Sequence, residues 1–147
     1  MSEERKLARR LMYAIYGADE VFILKDRGMH INYAELNIMY VLDGDTPCSQ
    51  KEIAEQMFIP LTTVNTIIKR WEKEGILIQT PIEGKRREMQ IVLTDKGKEY
   101  AEQYLSFIYK AEEQAIKKTL EKYSAEFIDA LEYYGECLHE SFKDMDY

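Results

Sequence analysis

The sequence predicts a mainly α fold carrying one small β-hairpin, and three observations predict it. Apolar residues recur at helical spacing over most of the 147 residues. The period changes once, where two β-rich runs, "ILIQT" (76–80) and "EMQIVL" (88–93), flank the turn-forming "PIEGKRR". An acidic chain, of formal net charge −7, also places its densest cation run, Lys85 to Arg87, at the tip between those runs.

The elements follow in order. Residues 5–26 read as a first helix, with Leu7, Leu11, Ile15, Ala18 and Phe22 at i+3/i+4 steps. The turn "DRGMHIN" ends it. Asn32 N-caps a second helix through Leu42, with Tyr33, Leu36 and Tyr40 on one face, and "DGDTP" breaks it. "SQKEIAEQM" opens with the capping box Ser49/Glu52 and makes a short helix. "FIPL" is a tight connection in which Pro60 suits a helix start. The next helix, "LTTVNTIIKRWEKEG", turns Val64, Ile67, Ile68 and Trp71 inward, and Gly75 is its C′ residue. After the hairpin, Thr94 N-caps a long helix reaching about Tyr123, with Asp95 in its first turn. Ser124 caps a last helix with Phe127, Ile128, Leu131, Tyr134 and Leu138 apolar.

Composition narrows the function classes. Hydrophobic residues at 46% and charged residues at 32% fit one soluble globular domain, 1–147. No apolar run approaches the ~18 residues of a membrane span, so no membrane partner is expected. The first twenty residues are too charged for a signal peptide. Cys48 and Cys137 stand far apart and form no motif, which fits a reducing cytoplasm. His30 and His139 are lone, so no metal or other cofactor is expected. There is no nucleophile elbow or phosphate loop, hence no case for an enzyme. The charge is uneven: residues 47–96 carry 8 cations and 7 anions, whereas residues 97–147 carry 6 and 12. An acidic balance does not exclude a nucleic-acid partner when the cations gather on one face.

Two short helices, a tight turn, a polar-faced second helix and a hairpin together make a winged helix-turn-helix over 33–96. The second helix is narrow enough for a major groove. Its outward residues Thr62, Thr63, Asn65, Thr66, Lys69 and Arg70 are candidates for contact with double-stranded DNA. Ser49 and Gln50, at the start of the preceding helix, join them. Threonine and asparagine are poor helix formers for mere surface, which favours a working face. Lys85, Arg86 and Arg87 sit at the hairpin tip, where they reach backbone phosphates or the adjacent minor groove. The rival is a winged-helix module that docks proteins through the same surface. Apolar residues at 62, 63, 66 and 69 would favour that rival, and the sequence has Thr, Thr, Thr and Lys.

The stretches "TTVNTIIKRWEKEGIL" and "LTDKG" (Leu93 to Gly97) resemble the recognition helix and the post-wing L-T-x-x-G of the MarR family of transcriptional regulators. Arg87, seven residues before Thr94, stands where the family's D-x-R wing motif has its Arg, with Lys85 in place of the Asp. Phe58 stands where the family usually has a turn Gly, and Trp71 where it usually has Leu. The resemblance implies a sequence-specific regulator, a repressor on a pseudo-palindromic operator, acting as a homodimer. It implies that 1–30 and 97–147 form the helical dimerisation region. It also places Tyr13, Tyr16, Tyr33, Tyr40 and Tyr104 on helices that in the family border a cavity, a possible site for a small aromatic or hydrophobic effector. Interface packing is the competing reading of these rings. Cys48, near a helix start, reads either as a redox-responsive thiol or as a small buried residue.

Overall fold

The computed structural model describes residues 1–26 and 30–145. They fall into two units, Met1–Ser106 and Phe107–Tyr147. The turn expected over 26–32 lies in part on 27–29, outside the described residues.

In the first unit, α1 (Glu3–Asp26) precedes α2 (Tyr33–Leu42). A hydrogen bond of 2.7 Å from the Tyr33 hydroxyl to Asp19 Oδ1 ties the two together. α2 starts at a full capping box: Asn32 Oδ1 accepts the Glu35 N–H at 2.9 Å, and the Glu35 carboxylate accepts the Asn32 N–H at 3.1 Å. β1 (Cys48–Ser49) leads into α3 (Gln50–Met57), which opens with the predicted Ser49/Glu52 box at 3.2 and 2.7 Å. α4 (Leu61–Lys73), β2 (Leu77–Pro81), β3 (Met89–Leu93) and the first turns of α5 (Asp95–Leu120) complete it. The sheet is antiparallel in the order β1-β3-β2. β1 is a finding beyond the expected hairpin. It pairs Cys48 with Ile91 and Ser49 with Gln90, and two residues are too few to show a strand period.

Phe58, between α3 and α4, adopts φ 53, ψ 39, the left-handed region. That is where the family pattern has Gly, and the side chain here costs about 1–2 kcal/mol. α4 ends in a Schellman motif. Gly75, at φ 74, donates to the Glu72 carbonyl at 3.1 Å and Ile76 donates to the Trp71 carbonyl at 2.9 Å. The buried stripe is the expected one: Val64, Ile68 and Trp71 are fully buried, as are Ile38, Ile53, Leu77 and Leu105. Trp71 presents its ring to Tyr100 edge-on at 6.1 Å. Burial pushes the Tyr100 phenol up to about 12. α2 departs from expectation. Leu36, Ile38, Met39 and Leu42 are its buried apolar residues, while Tyr33 is half-buried and Tyr40 exposed. A short helix enclosed on several sides shows no single apolar face.

The corner between β3 and α5 explains "LTDKG". Thr94 Oγ1 donates toward the Gly75 and Ile76 carbonyls, at 2.5 and 3.1 Å, and accepts the Gly97 N–H at 3.1 Å. A Cβ on Gly97 would lie 1.9 Å from the Ile76 carbonyl oxygen. The helix can start this close to the strand only through a residue without a side chain.

The second unit holds the remainder of α5 and α6 (Glu126–Lys143). α5 stops at Leu120, short of the expected Tyr123. The N-cap of α6 is Ala125, not Ser124, and no side chain caps it. Ser124 Oγ instead lies 3.3 Å from Glu126 Oε2, and the first turn closes through i+3 bonds from Phe127 and Ile128. No residue of α6 is buried.

Candidate nucleic-acid interface

α4 keeps one side in the core and turns the other to a groove of about 650 Å³, walled on its far side by the wing. Thr62, Asn65 and Thr66 line it from α4, Ser49 and Gln50 from the start of α3, and Arg87 from the wing. Residues brought from three places in the sequence thus face one channel. They offer hydroxyls, amides and one guanidinium, the groups that hydrogen-bond base edges and phosphates. No side chain caps the N-terminus of α4. The N–H groups of its first turn therefore keep the partial positive charge that suits an anion.

The wing is shaped by its turn. Lys85 N–H donates to the Ile82 carbonyl at 3.1 Å, and Gly84 takes φ 79 at the third position, which favours glycine. Lys85 is held by Glu88 at 3.0 Å. Among the described residues no ion pair engages Arg86 or Arg87, so their charge is available to a ligand.

Not every predicted residue lines the groove. Thr63, Lys69, Lys85 and Arg86 do not. Arg70 turns away to the Glu35 carboxylate, with Glu74 Oε1 at 3.9 Å on the other side. The Glu35 hydrogen bond holds its guanidinium further above the ordinary range. Arg70 therefore joins α4 to the capping box of α2, with its charge already matched. Thr66 lines the groove but donates its hydroxyl hydrogen to the Thr62 carbonyl at 3.0 Å, which leaves its oxygen to accept. The groove also holds Lys51, Leu61, Gln79, Glu88 and Met89, which sequence reasoning missed. Lys51 was within reach, next to Ser49 and Gln50. Gln79 required the strand register, which sets it opposite Ile91.

The other candidates separate. Cys48 is buried, and burial pushes its thiol up to about 11, so the reactive thiolate is disfavoured. Tyr40 and Cys48 line a second depression of about 360 Å³. Tyr13, Tyr16, Tyr33 and Tyr104 line neither this depression nor the groove beside α4. Tyr13 and Tyr16 are exposed on α1, and Tyr104 packs edge-on against Tyr100 at 4.8 Å. Among the described residues no group of three His, Cys, Asp or Glu could hold a metal, and no helix is long and apolar enough to cross a membrane.

Comparison with known proteins bears on the family and the fold. Residues 31–88 match the family model described as MarR family. The HTH-type transcriptional regulator SarZ of Staphylococcus epidermidis is 26% identical over 103 residues, covering 66% of this chain and 68% of SarZ. In fold, the chain is similar to NMB1585, a MarR family regulator from Neisseria meningitidis. The TM-score is 0.76 at 21% identity, over 98% of this chain and 99% of that one. It is also similar to Streptococcus pneumoniae FabT, solved in complex with DNA, at TM-score 0.62 and 17% identity over 98% and 100% of the two chains.

Proposed function

We propose that the chain is a DNA-binding transcriptional regulator of the MarR family, whose model matches residues 31–88, and that it is a repressor binding a pseudo-palindromic operator as a homodimer. The observation that carries the reading is the groove. Asn65, Thr62, Gln50 and Arg87 all line it; in this reading the first three meet base edges and Arg87 meets the flanking backbone. That FabT, a structural neighbour, was solved in complex with DNA supports a DNA partner, and a recognition helix of this motif enters the major groove. The dimer is supported by the exposed apolar face of α6, with Phe127 at 38%, Leu131 at 44% and Leu138 at 38% exposure, and by Leu7 and Val21 on α1. Such a face needs cover, and a second copy supplies it through a two-fold interface. Two recognition helices then meet half-sites about one helical turn apart. A dimer seated on a promoter represses by occupying it.

Selection of bound DNA from a random pool tests the reading. Half-sites related by a two-fold are expected. An enriched motif without that symmetry would remove the dimeric operator, and no enrichment would favour a protein-docking module. Transcription from a template carrying the selected site within its promoter should fall when the protein is added, and a rise would reverse the sign of regulation.

The wing should act through charge. Replacing Arg86 and Arg87 with Ala should weaken binding to all sequences alike. Removing one phosphate interaction lowers the salt slope by about 1, so a dimer deprived of one at each wing drops by about 2. Titrations at several salt concentrations read this directly, and an unchanged slope would remove the wing from the interface.

A further inference from the structure

Four side chains at the groove form a hydrogen-bonded relay that has a direction. Asn65 Nδ2 donates to Gln50 Oε1 at 3.0 Å, Gln50 Nε2 donates to Gln79 Oε1 at 3.2 Å, and Gln79 Nε2 donates to Glu72 Oε2 at 3.1 Å. The relay leaves α4 at Asn65, crosses to the start of α3 and then to β2, and returns to α4 at Glu72 about two turns further along. The oxygen and nitrogen ends of an amide are nearly identical in shape, so three linked amides alone would fit either way round. An ionised carboxylate removes the choice, because it only accepts. Glu72 obliges Gln79 to aim its N–H₂ at the carboxylate. The Gln79 carbonyl then faces Gln50, the Gln50 carbonyl faces Asn65, and Asn65 spends one N–H on it. Asn65 Oδ1 and the second Asn65 N–H have no partner among the described residues, and Asn65 lines the groove.

An acceptor beside a donor matches the N6 amino group and N7 of adenine in the major groove. With the relay reversed, Asn65 would offer its whole N–H₂ group, a match for the O6 and N7 acceptors of guanine. We infer that Glu72, which is outside the groove lining, sets the hydrogen-bond polarity of Asn65 and makes it a reader of adenine over guanine. The inference rests on the proposed placement of Asn65 at a base edge. Glu72 is a positioning residue here: it acts through Gln79 and Gln50.

The test uses the full chain in four forms: wild type, Asn65→Ala, Glu72→Gln and Glu72→Lys. Each is put through the random-pool selection. Each is then titrated on two operators that differ only by an A·T to G·C exchange at the position whose preference Asn65→Ala relaxes. Wild type should favour adenine by about tenfold or more. Glu72→Gln, which can donate or accept, should bring the two operators near parity. Glu72→Lys, which only donates, should reverse the preference. Removing an anion also tightens binding to every sequence, but that change cancels in the ratio. Both substitutions sit on an exposed position of α4, and thermal melts confirm that each variant is folded before its ratio is read. If Asn65→Ala relaxes a preference for adenine while both Glu72 variants keep it, the relay is overturned and Asn65 still reads the base. If Asn65→Ala relaxes no position, the base-reading role falls, and the relay's role in specificity falls with it. A wild-type preference for guanine at the Asn65 position would overturn the polarity.

Discussion

A chain ending at Lys122 is expected to fold, to sediment as a monomer, and to bind the operator at least ~10²-fold more weakly than the full chain. The physical argument has two parts. No residue of α6 is buried, so its removal leaves the core around Trp71, Ile68 and Leu105 intact. Yet α6 repeats Phe127, Leu131 and Leu138 along one side, and these are apolar groups exposed at 38 to 44%. A two-fold interface of the obligate kind, above ~2,000 Å² in total, would bury that side. Without it each recognition unit binds its half-site alone, with no second half-site linked to it. Net charge argues that the tail does not itself touch DNA, since residues 97–147 carry 12 anions against 6 cations. The truncation removes residues 123–147, which carry 7 of these anions and 1 of these cations; that should strengthen phosphate binding, so a large fall in affinity would have to come from the broken linkage. Sedimentation and operator titration on the same sample test both parts. A truncated monomer with undiminished operator affinity would show that α6 serves another purpose.

Gly97→Ala is expected to destabilise the fold by about 2–4 kcal/mol, lowering the thermal midpoint by roughly 6–15 °C. The added Cβ would meet the Ile76 carbonyl oxygen at 1.9 Å and its carbon at 3.0 Å. That carbonyl cannot simply move aside. It accepts the Thr94 N–H at 3.0 Å and the Thr94 hydroxyl at 3.1 Å, and these bonds join α5 to the end of α4. Relief requires α5 to shift from β2, which would also disturb Tyr100 against Trp71. Gly17→Ala is the control. Nothing lies within 4 Å of its added Cβ, and a helix-interior Ala should instead stabilise by about 0.5–1 kcal/mol. Equal melts for the two variants would mean that the corner at Thr94 tolerates a side chain.

Features whose partners lie within one turn were legible in the sequence. Ser49 with Glu52, Asn32 as a cap, Gly75 after α4 and Thr94 before α5 are bonds between residues about three apart, so residue type and spacing determine them. The stripe Val64, Ile67, Ile68, Trp71 was equally readable, because burial at period 3.6 is written along the helix itself. By the same logic the polar side of α4 and the cation run of the wing pointed to nucleic acid before any coordinates. The tertiary structure decided which of those polar groups are free to act. Arg70 looks like a phosphate ligand by its position on the helix, but it is bound to Glu35, 35 residues away. Asn65 meets Gln50 across 15 residues, and Gln50 meets Gln79 across 29. β1 exists only because β3 arrives beside Cys48 and Ser49. A helical period specifies which side of an element faces inward. It holds no information about which long polar side chain from another element will reach into the same space, and that pairing settles whether a charge or an amide is offered to a ligand or used within the fold.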